Sequence, residues 1–258
     1  MRPRSNHPQF KTHEPQGRAV IGIHSAHEVL KVRPHAVKEI WLKKGSERDL
    51  TMKPFVEFAE RTRRPLRFQQ EGALNQIASS HQGVCLWVTE TPELDLADLP
   101  GAESMAPITL LALDEISDPH NVGALLRSAW LFGCAGLIVP ERRTAHLTPS
   151  VIKVASGGAE HVPVIVSAHL NDDLTILKDK GFWIYGLAGE GHQTLSQIRF
   201  HEKAVLLIGA EDKGLRTSTR RACDEMIRIP QLDVEASFNA SVAGAIALYE
   251  VRRQRQNP

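Results

Sequence analysis

The sequence predicts an α/β protein in two parts, a small mixed unit at residues 18–90 and a larger parallel-sheet unit at residues 107–258. Three observations predict it. Short apolar runs alternate with amphipathic helical patterns along almost the whole chain. In the second half those runs, such as ITLLALDEI, AGLIVP and KAVLLIGAE, are apolar nearly without interruption, as strands covered on both faces of a parallel sheet must be. Between the halves lies TPELDLADLPGAESMA, residues 91–106, which is acidic, contains proline, has no periodicity and reads as a linker.

Composition excludes several classes. With 42% hydrophobic and 24% charged residues among 258, the chain carries ample apolar material for a core and is not disordered as a whole. The first 17 residues, MRPRSNHPQFKTHEPQG, have no apolar stretch and read as a flexible tail rather than a secretion signal. No run of about 18 apolar residues marks a membrane span, so no membrane partner is expected and the cytoplasm is the default location. The 3 cysteines, Cys85, Cys134 and Cys223, stand far apart among apolar or helical neighbours, which predicts reduced, mostly buried thiols rather than a nucleophile or a zinc site. The net charge of +1 hides a division: residues 1–17 and 18–90 carry +2 and +4, the linker −4, and residues 107–258 −1.

In the first part, IGIHSAHEVLK reads as a strand entering a helix, VKEIWL as a strand, TMKPFVEFAERTR as a helix capped by Thr51, and LRF as a strand. EGALNQIAS and GVCLWVTE then add a helix and a strand, with the helices on a central sheet. Arg61, Arg63, Arg64 and Arg67 cluster at a helix end, where cations suit the helix dipole and could equally meet RNA phosphates. His24 and His27 share a helix face, but no third ligand stands at a persuasive spacing, so no metal is expected.

In the second part, ITLLALDEI (108–116) is a strand and NVGALLRSAWLF a helix closed by Gly133. AGLIVP is a strand, and TPSVIKVAS a helix capped by Thr148 with Pro149 at its first position. VPVIV, a helix around DDLTILKDK, FWIYGLA, KAVLLIGAE, a helix after Gly214 and the IRIP strand follow. Ser237, Asn239 and Ser241 then lead into a final apolar helix reaching Arg253. Ligands of such sheets sit at the carboxyl ends of the strands, where DEISDPHNVGALLR (114–127), GLAGEG (186–191) and GAEDKGL (209–215) are polar or glycine-rich. None of these is a dinucleotide fingerprint, a phosphate-binding Walker loop or a serine-hydrolase elbow.

Three segments, DPHNVGALLRSA (118–129), LLIGAEDKGL (206–215) and IPQLDVEASFNASVAGAIALYE (229–250), resemble the three ordered motifs of the SpoU/TrmH ribose 2′-O-methyltransferases of the SPOUT class. GIHSAHEVL and HQGV (81–84) resemble the small L30e-like RNA-binding domain that precedes the catalytic domain in bacterial members. The resemblance implies methyl transfer from S-adenosylmethionine to a ribose 2′-hydroxyl of structured RNA. Ribosomal RNA of the large subunit (23S) is favoured over transfer RNA by analogy of architecture. It also implies a C-terminal deep trefoil knot and a homodimer.

On matching positions the resemblance assigns Gly209, Ile229 and Phe238 to the cofactor, with Leu187 and Gly189 as loop walls. It makes Arg127 the catalytic arginine, with Asn121, Glu211, Ser237 and Asn239 as the other polar motif residues. The resemblance implies that Arg127 is the general base; because a guanidinium is effectively always protonated, gripping the adjacent phosphate and stabilising the developing alkoxide stands as the alternative role. The sequence departs from the family pattern at Asp212 and Lys213, within a loop expected to be tight, and at Phe238, where a leucine is usual and the larger ring narrows the expected pocket. Asp233 and Glu235 add acid to the neighbouring loop. The rival reading is a non-catalytic RNA-binding protein that keeps the knot as a scaffold; S-adenosylmethionine calorimetry separates the two.

Overall fold

The computed structural model describes residues 15–92, 94–142, 144, 147–232 and 236–256. Most of the expected tail, and Asp233 and Glu235, lie outside the described residues.

The first part is a four-stranded sheet of β1 (Arg18–Ile21), β2 (Val37–Lys43), β3 (Leu66–Gln69) and β4 (Val84–Val88), in the order β1-β4-β2-β3. β2 and β3 run parallel; β4 is antiparallel to both β1 and β2. Strand alternation sends Val20, Ile40, Leu42 and Leu86 to one face, where α1 (Ile23–Val32) and α2 (Lys53–Thr62) cover them with Val29, Phe55 and Phe58. The other face buries Ile21, Trp41, Cys85 and Trp87 under Leu74 of α3 (Glu71–Ile77). Thr51 does not cap α2. Its backbone N–H and its hydroxyl both donate to Asp49 Oδ1, at 2.9 and 2.7 Å, so Thr51 closes the preceding turn and Met52 holds the uncapped N-cap position.

The second part is a seven-stranded sheet of β5 (Ile108–Asp114), β6 (Gly136–Pro140), β7 (Val164–Ser167), β8 (Trp183–Leu187), β9 (Gln193–Thr194), β10 (Lys203–Gly209) and β11 (Glu225–Arg228). The order is β7-β6-β5-β10-β8-β11-β9, with every pairing parallel. Alternate residues of β5 and β10 feed two cores. Leu111, Leu113, Leu206 and Ile208 face α4 (Pro119–Phe132), α5 (Pro149–Ala155) and α9 (Ala240–Gln256), while α6 (Gly158–His161) packs at the edge of the same layer. Leu110, Ala112, Val205 and Leu207 face α7 (Leu170–Asp179) and α8 (Thr217–Ala222). The acidic linker is no loose tether. Asp95 accepts from the N–H of Ala97 in a single 3-10 turn, Leu96–Asp98, and Leu96 and Leu99 are buried in the second core.

Local signals hold where they are local. Thr148 accepts from the N–H of Val151 at 3.3 Å with Pro149 opening α5, and Gly133 ends α4 in the left-handed conformation. β9 and α6, of 2 and 4 residues, are too short for a periodic pattern and were not foreseen. Because β5 leads outward through β6 and β7 while its other neighbour is β10, the strand order reverses between β5 and β10. That reversal opens a crevice at the carboxyl ends of the two strands.

Candidate active site

At the crevice, β5 ends in Asp114, a fully buried carboxylate that accepts from the backbone N–H of Arg216 at 2.9 Å and from its Nε at 2.6 Å. This pins the loop after β10 to the end of β5. The loop is a tight reversal, with Gly214 N donating to Ala210 O at 2.7 Å and Ala210 N to Gly214 O at 3.2 Å. Gly209 is required there, since a Cβ would lie 2.2 Å from the carbonyl carbon of Gly214. The tight loop accommodates Asp212, because Gly214 carries the positive φ, 63°, and Asp212 does not.

The reversal projects Glu211 between two helix starts. Asp118 caps α4 by accepting from His120 N at 2.9 Å, and Asn121, buried in the first turn, donates from Nδ2 to Glu211 Oε1 at 2.7 Å. Asn239 caps α9, its Oδ1 accepting from the N–H of Ser241 at 2.9 Å and from the Ser241 hydroxyl at 2.6 Å. That fixes the Asn239 amide so that its Nδ2 donates to the same Glu211 oxygen. One carboxylate therefore ties together residues from all three motifs.

Beside this cluster lies a cavity of about 260 Å³. Leu187, Gly189, Gly209, Ile229 and Phe238 all line it, with Glu211 and Ser237. Phe238 is 39% exposed, so its ring walls the cavity while still reaching solvent. Among the described lining residues Glu211 is the one charged group. Apolar walls from Ile208, Ile229 and Phe238, small residues that leave backbone groups accessible, and a single carboxylate suit a ring with a cationic tail and do not suit a polyphosphate. Gln231 and Ala236 also line it and were not foreseen; the Gln231 amide donates to Ala236 O across the loop, a link without local sequence signal. A second cavity, of about 430 Å³, shares Glu211 and Ala210 and opens between Asp118, Asn121 and Lys213. A larger one, about 550 Å³, at the ends of β6 and β7 contains none of the catalytic or cofactor residues assigned from the sequence.

Arg127 is not brought to the cavity. Six residues beyond Asn121 on the same helix, it lies about 9 Å further along the axis and a third of a turn around it. It is exposed, and its Nη1 donates to Ser156 Oγ at 3.5 Å. It shares a stripe of α4 with Ala124, Ser128 and the 61% exposed Leu131, alongside α9, where Val242 and Tyr249 are 45% and 55% exposed. Arg61, Arg63 and Arg64 stand exposed at the carboxyl end of α2, Arg61 5.8 Å over the Phe58 ring and Arg63 in the left-handed cap position. Arg67, on β3, is engaged by Glu39. Burial pushes the Cys134 and Cys223 thiols up to about 12, which removes both as nucleophiles near neutrality.

Residues 109–249 match the SpoU rRNA methylase family, and residues 19–94 match the RNA 2′-O ribose methyltransferase substrate-binding family. The chain is 37% identical over 244 residues to the 23S rRNA (guanosine-2′-O-)-methyltransferase RlmB of Pseudomonas aeruginosa, covering 93% of this chain and 98% of that one. It is 38% identical over 224 residues to an uncharacterised tRNA/rRNA methyltransferase of Synechocystis, covering 85% of this chain but only 58% of that longer relative. In fold it is similar to the SpoU methyltransferase AviRb of Streptomyces viridochromogenes, solved in complex with AdoMet, with a TM-score of 0.79, 22% identity and coverage of 93% and 90% of the two chains. With Asn121, Glu211 and Asn239 gathered at the ends of the strands and relatives of this closeness along nearly its full length, the chain belongs to the SpoU rRNA methylase family.

Proposed function

We propose that the protein transfers a methyl group from S-adenosylmethionine to a ribose 2′-hydroxyl of 23S ribosomal RNA. The observation that carries it is the cavity: five residues from three separated loops line one space next to the Asn121, Glu211 and Asn239 cluster. Bound S-adenosylmethionine supplies an electrophilic methyl on a sulfonium, so the chain has only to hold it, align the 2′-oxygen and manage one proton. Leu187, Gly189, Gly209 and Ile229 offer apolar walls and close backbone to the cofactor, and Phe238 covers its ring. Asn121 and Asn239 hold Glu211 rigid, and Ser237 faces the same space. Methylation of a 23S rRNA transcript by the purified protein, with the site mapped against RNA from a deletion strain, tests the reading. Absence of any 2′-O-methyl difference would sink it.

The arrangement of the parts belongs to the same proposal. Residues 18–90 form an L30e-like substrate-binding domain, 91–106 the connection and 107–258 the catalytic SPOUT domain, its last segments threaded as a trefoil knot around the cofactor loops. The protein acts in the cytoplasm. Substituting Arg61, Arg63 and Arg64 together by Glu is expected to weaken rRNA binding and to flatten its salt dependence by about one log–log unit per lost phosphate contact. Cofactor affinity should stay the same; an unchanged salt slope on filter binding removes these arginines from the RNA surface.

The active unit is a C2 dimer. Support comes from exposed Leu131 on α4 and exposed Val242 and Tyr249 on α9, two helices packed on each other, and from Arg127, exposed on α4 and outside its own chain's cavity. Pairing these faces gives each cavity the arginine of the other chain. Light scattering at micromolar concentration is expected to give twice the chain mass, and Val242→Asp with Tyr249→Ser to give a monomer without methyl transfer. A wild-type monomer that transfers methyl groups would contradict the dimer.

A further inference from the structure

Glu160 is 2% exposed, and a carboxylate so far from water has to be compensated. It is met twice, both times from the other part of the chain. Oε1 accepts from Arg18 Nη2 at 2.6 Å and Oε2 from Arg33 Nη1 at 3.0 Å. Arg18 opens β1 and is itself 8% exposed, and its Nε and Nη1 have no hydrogen-bond partner among the described residues, so Glu160 is its counter-charge. Arg33 ends α1 and continues to Thr89 Oγ1 at 3.2 Å and Glu90 O at 2.6 Å, just beyond β4. A pair buried to this degree adds little net stability over apolar packing but is costly to break once built, which makes it a device for fixing one arrangement.

The four-residue helix α6 that carries Glu160 has α4 on its other side. At Gly158 a Cβ would come within 2.9 Å of Leu126 O and 3.1 Å of Arg127 Cα, so the backbones touch there with no room for a side chain. His161 stacks on Trp130 with centroids 4.2 Å apart and planes 12° from parallel, and its Nε2 meets Glu28 Oε2 of α1 at 2.9 Å. Ser156, two residues before Gly158, accepts the hydrogen bond from Arg127. The turn of α4 from Leu126 to Trp130 is thus seated on α6, and α6 is held by the first part of the chain through Arg18, Arg33 and Glu28.

We propose that Glu160 is a positioning residue for methyl transfer: clamped by Arg18 and Arg33, it locks the substrate-binding part onto α6 and thereby sets the turn of α4 that presents Arg127. The inference rests on the role given to Arg127 above. It means that RNA held by the front of the chain and the arginine that serves the reacting ribose are registered through one buried carboxylate.

The test uses the full-length protein with Glu160→Gln, which keeps shape and removes charge, and Arg33→Gln, which removes the less buried of the two arginines, 14% exposed against 7% for Arg18, and leaves the Arg18–Glu160 pair in place. Hydrogen exchange at residues 126–130 and 156–161, calorimetry with S-adenosylmethionine, and single-turnover methylation at saturating 23S rRNA transcript are read in parallel. Both variants are expected to exchange at least about 10-fold faster in these segments, to bind cofactor within about twofold of wild type, and to lose on the order of 10- to 100-fold in single-turnover rate, the loss that small misplacement brings. Faster exchange with a wild-type rate would make the clamp structural only and overturn the proposal, as would unchanged exchange. Should Glu160→Gln not fold, Arg33→Gln decides alone. Full activity of Arg127→Ala would overturn the reading beneath the proposal, and that result is separable because exchange needs no turnover.

Discussion

Arg127→Ala is expected to lower the single-turnover rate of methyl transfer by on the order of 100-fold or more while leaving S-adenosylmethionine affinity within about twofold. The two effects are expected to separate because Arg127 lines no part of its own chain's 260 Å³ cavity, and in the proposed dimer it serves the reacting ribose and not the cofactor walls. There it would act on the RNA side of the reaction, from the face on which the two chains would pair. A lysine in its place tells which role it plays. Lysine keeps the charge, loses the two-pronged fork and releases a proton far more readily than guanidinium. If the arginine works by its fork, Arg127→Lys stays slow at every pH; if it accepts a proton, the lysine variant recovers as pH rises toward the lysine pKa. Single-turnover methylation across pH, with RNA binding shown to be saturated, reads the difference. A wild-type rate from the alanine variant would remove Arg127 from the reaction.

Gly209→Ala is expected to cost on the order of 3 kcal/mol of stability and about 100-fold or more in cofactor affinity. The added Cβ would lie 2.2 Å from Gly214 C and 2.4 Å from Gly214 O and Leu215 N, which are backbone atoms that cannot swing aside. Relief requires the loop from Ala210 to Gly214 to open, and that loop carries Glu211. The carboxylate then leaves Asn121 and Asn239, the cap of α9 loses its second partner, and one wall of the cavity moves. Denaturant unfolding and calorimetry check the two losses separately. A variant as stable as wild type that binds S-adenosylmethionine equally well would show that the reversal can admit a Cβ without moving Glu211.

Much of the chain was legible because its signals are local. Strand alternation in β5 and β10, the Thr148 cap with Pro149, Gly133 at a helix end and Asn239 at a helix start each act within a few residues, where backbone geometry and the nearest side chains decide. Thr51 does not cap because the turn it closes on Asp49, two residues earlier, shifts the helix start and leaves Met52 at the N-cap position. β9 and α6 stayed hidden since no periodicity develops over so few residues. The motif residues were recognisable in sequence only by likeness to a family, as nothing in their spacing shows that positions 121, 211 and 239 converge.

By itself the sequence determined the order and kind of most elements, the near-continuous apolar strands that demand cover on both faces, and the residue types available at the strand ends. Only the tertiary structure decided that β10 lies beside β5, so that Asn121, Glu211 and Asn239 meet on one carboxylate oxygen while Arg127, on the same helix as Asn121, does not. It also decided that Glu160 is buried between two arginines more than 120 residues earlier in the chain, and that the acidic linker is packed into a core. The reason is physical. Helix and strand patterns follow from sterics and hydrogen bonds over a few residues, whereas parallel strands are joined by long crossovers, and which of them become neighbours is settled by burying both faces of the whole sheet at once.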